Sequence, residues 1–229
     1  MSHRREFWDA RYAQEDWAYG TEPNRFLRAV LTELRPTGSA LFPAEGEGRN
    51  AVFAAQSGLS VTAVDVSGEG RQKALRLARE RGVRIHYRVA DFGDLEFPPA
   101  AFDLIALIFA HFPQDRRREY HRRLAQLLAP GGALVLEGFS RDHRGHQRTN
   151  PTAGGPPDPA LLFDEETIRT DFGSLLVDRL STEVVELDEG RYHRGAASVV
   201  RLVARCPDRP DTRPDPVTRF HPGDPDLMP

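Results

Sequence analysis

Apolar and polar positions fall into blocks of two kinds along the middle of the chain. Ala40-Leu41-Phe42, Val61-Thr62-Ala63-Val64, the alternating Arg84–Val89, Phe102–Phe109 and Ala133–Phe139 are short apolar runs of strand length. Between them, Arg71–Arg81 and Asp115–Leu128 repeat their apolar residues at helical spacing, and Ala51, Val52, Ala54 and Ala55 do so after a turn holding Gly46 and Gly48. Phe102–Phe109 and Ala133–Phe139 are almost continuously apolar, as strands covered on both faces must be. Regular strand–helix alternation predicts an α/β fold, a Rossmann-like αβα sandwich around a mostly parallel sheet.

The pattern changes at both ends. Residues 4–19 read as one amphipathic helix rich in aromatics, with Phe7, Trp8, Tyr12 and Trp17, and Phe26, Leu27, Val30, Leu31 and Leu34 mark a second helix. Residues 1–38 are expected to lid a pocket, with Tyr12, Trp17 and Tyr19 at its mouth excluding water. Ser140–Pro159 is long, polar and rich in Gly, Pro, His and Arg, the composition of an active-site loop. Asp164–Phe172 follows as a helix. Leu175–Asp188 and Ala197–Ala204 then read as strands with no helix between them, so they must pair antiparallel. Residues 39–206 form the expected domain. In residues 207–229, seven of 23 residues are proline and little is apolar, which predicts a disordered tail.

Charge and cysteine usage narrow the class. Thirty-one basic and 34 acidic residues are intermixed for a net charge of −3, against the basic stripe that nucleic acid demands. Cys206 is the only cysteine, so no internal disulfide or thiolate-rich metal site can form. No run approaches the ~18 apolar residues of a membrane span. The expectation is a cytoplasmic monomer or homodimer that handles a small molecule.

The candidate chemistry sits at strand ends. A strand, the turn Gly46-Glu47-Gly48, a helix and a second strand ending on Asp65 make a nucleotide-binding unit, in which glycines let the backbone approach a ligand and the carboxylate accepts from two ribose hydroxyls. Val66 beside it belongs to the same cofactor set, as does Phe109 at the fourth strand's end. Asp91 and Phe92 end the third strand, where a carboxylate and an apolar neighbour suit an adenine. His111 follows the fourth strand as catalytic candidate and substrate contact, either base, orienter or wall. Glu137, a carboxylate in an apolar strand, and Tyr192 join Tyr12, Trp17 and Tyr19 as substrate-binding candidates. His143 and His146 lack a third ligand, so no metal is expected. Gly46–Ala51 also fits the dinucleotide fingerprint, leaving an NAD(P)-dependent oxidoreductase open, although no Tyr–Lys hydride-transfer pair accompanies it.

Phe7-Trp8-Asp9 with Arg11-Tyr12, Tyr19-Gly20 with Pro23-Asn24, Gly46–Ala51, Val64-Asp65, Asp91-Phe92, Ile108–Pro113 and Leu128–Gly132 together resemble the class I S-adenosylmethionine-dependent methyltransferases. The compact tellurite-resistance type is most similar, thiopurine S-methyltransferases less so. The resemblance implies a seven-stranded sheet whose antiparallel last strand lies between the fifth and sixth, S-adenosyl-L-methionine as cofactor, and a soft acceptor such as a thiol or chalcogen oxyanion. One stretch departs from the family: Phe42 replaces the usual acid and Ala44 the first glycine. Glu45 is expected to supply the missing charge to the methionine ammonium or sulfonium. The altered loop also leaves open a cofactor-binding protein without turnover.

Overall fold

The computed structural model describes residues 2–208. Its centre is a seven-stranded sheet of β1 (Ser39–Pro43), β2 (Ser60–Asp65), β3 (His86–Val89), β4 (Phe102–Ile108), β5 (Leu128–Phe139), β6 (Leu176–Asp188) and β7 (Arg194–Arg205). The strand order is β3-β2-β1-β4-β5-β7-β6. Pairing is parallel from β3 through β5, and β7 runs antiparallel to both β5 and β6. The last strand therefore lies between the fifth and the sixth, as the resemblance implies, and its antiparallel pairing with β6 agrees with the unhelical connection.

Seven helices flank the sheet: α1 (Ser2–Tyr12), α2 (Arg25–Leu34), α3 (Arg49–Gln56), α4 (Gly68–Glu80), α5 (Gln114–Leu127), α6 (His143–Thr149) and α7 (Glu165–Asp171). Alternate side chains of β4 feed two cores, because successive strand residues point to opposite faces. Ile105 and Leu107 pack with Leu124 of α5 and Ile168 of α7, whereas Leu104, Ala106 and Ile108 meet Leu27 of α2, Ala51 of α3 and Ala74 of α4. Side-chain caps start three helices: Asn24 accepts from Leu27 N–H, Ser67 from Gly70 N–H and Asp164 from Thr167 N–H.

Three segments differ from the sequence pattern. The first helix ends at Tyr12 instead of continuing to 19, because the backbone N–H groups of Ala18 and Tyr19 are taken by the buried Glu47 carboxylate. Pro130-Gly131-Gly132, which precedes the predicted strand Ala133–Phe139, lies inside β5, where the ladder skips from Phe102↔Leu128 to Leu104↔Ala133. That irregularity accommodates a proline without a ladder bond. The polar stretch after Ser140 contains α6, anchored by the fully buried His143. Its Nδ1 accepts from Ser198 N–H, its Nε2–H donates to the Gly154 carbonyl, and its ring stacks 4.2 Å from Phe139. The expected tail falls, beyond Asp208, outside the described residues.

Gly48 illustrates why the turn needs glycine. It opens α3 at φ 87°, and a β-carbon there would stand 2.4 Å from the Ala74 Cβ of α4. Gly48→Ala should destabilise the fold by at least about 1–2 kcal/mol from the left-handed backbone alone. Urea unfolding checks this, and an unchanged midpoint would mean that the α3–α4 contact yields freely.

Candidate functional site

The strand order reverses between β1 and β4, and open α/β sheets bind ligands at the carboxyl ends of their strands at such a point. A cavity of about 330 Å³ lies there. Of the residues singled out in the sequence, Tyr12, Tyr19, Glu45, Asp65, Val66, Phe92, Phe109 and His111 line it.

The donor-side carboxylates are held by backbone. Asp65 Oδ2 accepts from Gly46 N–H at 3.0 Å and Oδ1 from Ser67 N–H at 2.9 Å. Burial nevertheless pushes its carboxyl up to about 6. Glu45 Oε1 accepts from Asn50 and Ala51 N–H at 2.9 and 2.7 Å, serving the N-terminus of α3 where Gly48 offers no side chain. Burial raises Glu45 to about 7. Ala44, in the place of the first glycine, sits at φ 54°, a left-handed conformation that costs an L-residue about 1–2 kcal/mol. Phe109 is at φ 52° as well, with its N–H on the Glu137 carbonyl. A bulky residue held there is a genuine outlier, of the sort that collects at functional sites.

His111 lines the cavity with both ring nitrogens occupied. Nδ1–H donates to the Leu161 carbonyl at 2.8 Å, and Nε2 accepts from Phe139 N–H at 3.3 Å. The ring stacks on Phe163 at 4.7 Å, and burial lowers its pKa to about 4. With no free lone pair, this imidazole is a wall of the cavity and not a base.

The remaining candidates lie elsewhere. Gly46 and Gly48 are behind the cavity: a β-carbon on Gly46 would meet the Tyr12 hydroxyl at 2.5 Å, and Gly48 faces α4. Asp91 pairs with Arg4 at 3.1 Å and accepts from the Tyr120 hydroxyl and Gly93 N–H, tying α1 to the sheet. Trp17 lies under Lys73 and Arg76 of α4. Glu137 is buried between Arg201 Nε and Asn24 Nδ2, each at 2.6 Å. Tyr192 stacks under the Arg11 guanidinium, at 4.3 Å, outside the lining. Among the described residues, no group of three or more His, Cys, Asp or Glu is placed to hold a metal.

Sequence reasoning gave no role to Arg4, Trp8 and Arg11, which line the cavity from α1, nor to Arg49; His193, expected near the same rim, lines it as well. The spacing Arg4, Trp8, Arg11, Tyr12 places one helix face on the ligand side and was the signal available. Arg11 donates to the Tyr19 hydroxyl at 2.9 Å and stacks on Phe7 and Trp8. It forms no ion pair among the described residues.

Residues 43–132, which span the donor side, match the model of the methyltransferase domain. This is the class I methyltransferase fold. A demethylmenaquinone methyltransferase of Tropheryma whipplei (strain Twist) is 33% identical over 102 residues, 43% of this chain and 41% of that protein. The chain thus matches about two fifths of that relative's length. A probable thiol methyltransferase 2 of Arabidopsis thaliana is 26% identical, covering 73% of this chain and 72% of its own. A solved structure from work on the conversion of a disulfide bond into a thioacetal group during echinomycin biosynthesis superposes with a TM-score of 0.73 at 23% identity, over 91% of this chain and 94% of that one. These relatives are named for different chemistries, so the likeness reaches the methyltransferase fold and not the narrower tellurite-resistance or thiopurine groups. Among the described residues no helix is long and apolar enough to cross a membrane.

Proposed function

We propose that the protein transfers a methyl group from S-adenosylmethionine to a small-molecule nucleophile. The observation that carries this reading is a complementary pair on the donor side. Among the described residues, Glu45 is a carboxylate lining the cavity with no ion pair, although Arg49 acts on it from a distance, and Arg11 is a cation lining it with no ion pair. A methionine moiety brings an ammonium and a carboxylate to match them. Asp65, its carboxylate oriented by two backbone N–H groups, retains lone pairs for the ribose hydroxyls, and Ala90, Phe92 and Ile108 offer an apolar bed for the adenine.

When bound, the cofactor supplies a methyl already activated by its sulfonium. The chain's task is then to align the nucleophile and exclude water. We assign α1 to that second task as a lid. It crosses the cavity with Arg4, Trp8 and Arg11 on its inner face, held by Arg4 to Asp91 and by Asp9 to the Ser67 hydroxyl. A thiol is the finer reading of the acceptor, supported by the name of the Arabidopsis relative. A chalcogen oxyanion fits less well, because Arg4 and Arg49 are already paired with Asp91 and Glu189 and Arg11 is taken by the methionine carboxylate. The nicotinamide alternative finds no lysine in the cavity lining.

Calorimetry with S-adenosylhomocysteine, NAD and NADP tests the reading. Saturable binding of S-adenosylhomocysteine alone is expected. Binding of NAD or NADP in its place would return the oxidoreductase. Cofactor binding without methyl transfer to any of a panel of thiols, phenols and amines would make the protein a binder without turnover.

A further inference from the structure

In the sheet order, Glu45, just after β1, and Asp65, at the end of β2, lie on one side of the β1–β4 reversal. Phe109, just after β4, Phe139, at the end of β5, and His193, just before β7, lie on the other side. Phe109 and Phe139, with Pro156, Pro157 and Leu161, make that half of the cavity apolar and aromatic, a slot for a flat, uncharged frame. Its polar groups include two imidazoles, and they are not equivalent.

His111 has both nitrogens on backbone groups, as described. His193 does not. Its Nδ1 is sealed from solvent without a hydrogen-bond partner and lies 3.5 Å from Glu189 Oε2. Its Nε2 receives no hydrogen bond from the described residues and belongs to a ring that lines the cavity. The ring is boxed by Phe109 at 4.4 Å, Tyr19 at 4.6 Å and Phe139 at 5.2 Å. Glu189 is itself fixed by Arg49 Nη2 at 2.7 Å and Asn24 Nδ2 at 3.0 Å, and its N–H closes on the His193 carbonyl at the hairpin tip. The carboxylate side selects the Nδ1–H tautomer, which leaves a free lone pair on Nε2 of a ring that lines the cavity.

Resting on the methyl-transfer reading above, we infer that His193, positioned by Glu189, takes the proton from a neutral acceptor X–H, a thiol or a phenol, carried on a flat apolar frame. The X–H proton passes to Nε2, and the X lone pair forms the bond to the methyl carbon. The breaking S–C pair returns to sulfur as a thioether, so the positive charge moves from the sulfonium to the imidazolium. Glu189 faces that new charge. The charged and titratable groups around His193 are Glu189 on its own hairpin, Arg49 of α3, Arg11 of α1, Tyr19, His111 and His143. Burial lowers the His193 pKa and keeps the ring neutral. Burial alone would raise Glu189, but the Arg49 guanidinium beside it holds its carboxyl at about 2, so it stays ionised.

The test reads the acceptor's proton directly. 4-Nitrophenol, coloured only when ionised, is bound to wild type and to His193→Gln in saturating S-adenosylhomocysteine and titrated by absorbance. In wild type the bound phenol should ionise about 1–3 pH units lower than in the variant, where burial alone acts on it. Turnover at pH 6 on phenylmethanethiol and on 4-nitrophenol, both mostly protonated in solution there, separates the sulfur from the oxygen acceptor. On whichever is methylated, His193→Gln should lose about 10²–10⁴-fold while S-adenosylhomocysteine affinity holds. Equal ionisation in the two proteins, or no binding of either probe, overturns the inference. Should the variant fail to fold, the His193 Cε1–H resonance of wild type decides: an unmoved signal on nitrophenol binding sinks the proton transfer. A protein that ignores S-adenosylhomocysteine but shows the nitrophenol shift would remove the donor reading and leave the imidazole's role standing.

Discussion

Affinity for S-adenosylhomocysteine should fall about 100-fold between pH 8 and pH 5. Glu45 at about 7 and Asp65 at about 6 are both raised by burial, so both are ionised at pH 8 and largely protonated at pH 5 in the unliganded protein. In the proposed donor pose the ligand's ammonium meets the Glu45 carboxylate, so binding must expel that proton, and each pH unit below about 7 costs roughly tenfold. Stability behaves differently. A carboxyl whose folded value is raised binds more protons folded than unfolded, so Glu45 and Asp65 favour the fold as pH drops through 7 and 6 toward their ordinary range. His111, depressed to about 4, is protonated only in the unfolded chain between there and its usual 6.5, and disfavours the fold over that window. The two effects oppose, and the imidazoles of His121, His143 and His193, lowered by burial, add to the second, so unliganded stability should change less steeply than affinity. Calorimetry from pH 5 to 8 beside thermal unfolding checks both, and a flat affinity profile would take Glu45 out of the site.

Arg11→Met should weaken S-adenosylhomocysteine binding about 10- to 150-fold, the loss of about 1.5–3 kcal/mol from one charge-assisted contact. Adenosine, which has no carboxylate, should bind both proteins alike. Methionine keeps the apolar stem that lies against Phe7 and Trp8, so the packing of α1 is spared. An equal loss for adenosine would show that Arg11 acts by placing Tyr19, to which it donates, and not by meeting the ligand.

The sheet was readable because its strands are apolar runs and its helices repeat at helical spacing. Even the antiparallel pair followed from the missing helix before β7. Direction was not readable. Gly46 and Gly48 share a motif whose spacing says that the turn is tight, but only packing turns Gly46 toward Tyr12 and Gly48 toward Ala74. Glu47, inside the same motif, accepts from Ala18 and Tyr19 N–H and pairs with Lys73, a long-range arrangement no local pattern encodes. Glu137 and Trp17 looked like site residues by type. Their partners, Arg201 with Asn24 and Lys73 with Arg76, come from other elements and hold them away from the cavity. His111 and His193 present the same problem in its sharpest form. Both stand next to strands, and what separates them is the Leu161 carbonyl, 50 residues from His111, which closes one ring and leaves the other open.

The position of β7 bears on how the molecule assembles. The β6–β7 pairing starts at Asp188↔Arg194 and zips outward, a local event, whereas β7 meets β5 through partners 60 to 72 residues apart, from Phe139↔Val199 to Ala133↔Arg205. The hairpin therefore forms first and docks by its inner strand. Until it docks, β5 is a twelve-residue, mostly buried-type strand with an open ladder, a template for pairing with a neighbouring chain. Refolding yield should accordingly drop as protein concentration rises, and light scattering during refolding would register it. A yield independent of concentration would mean that the docking outruns encounter between chains.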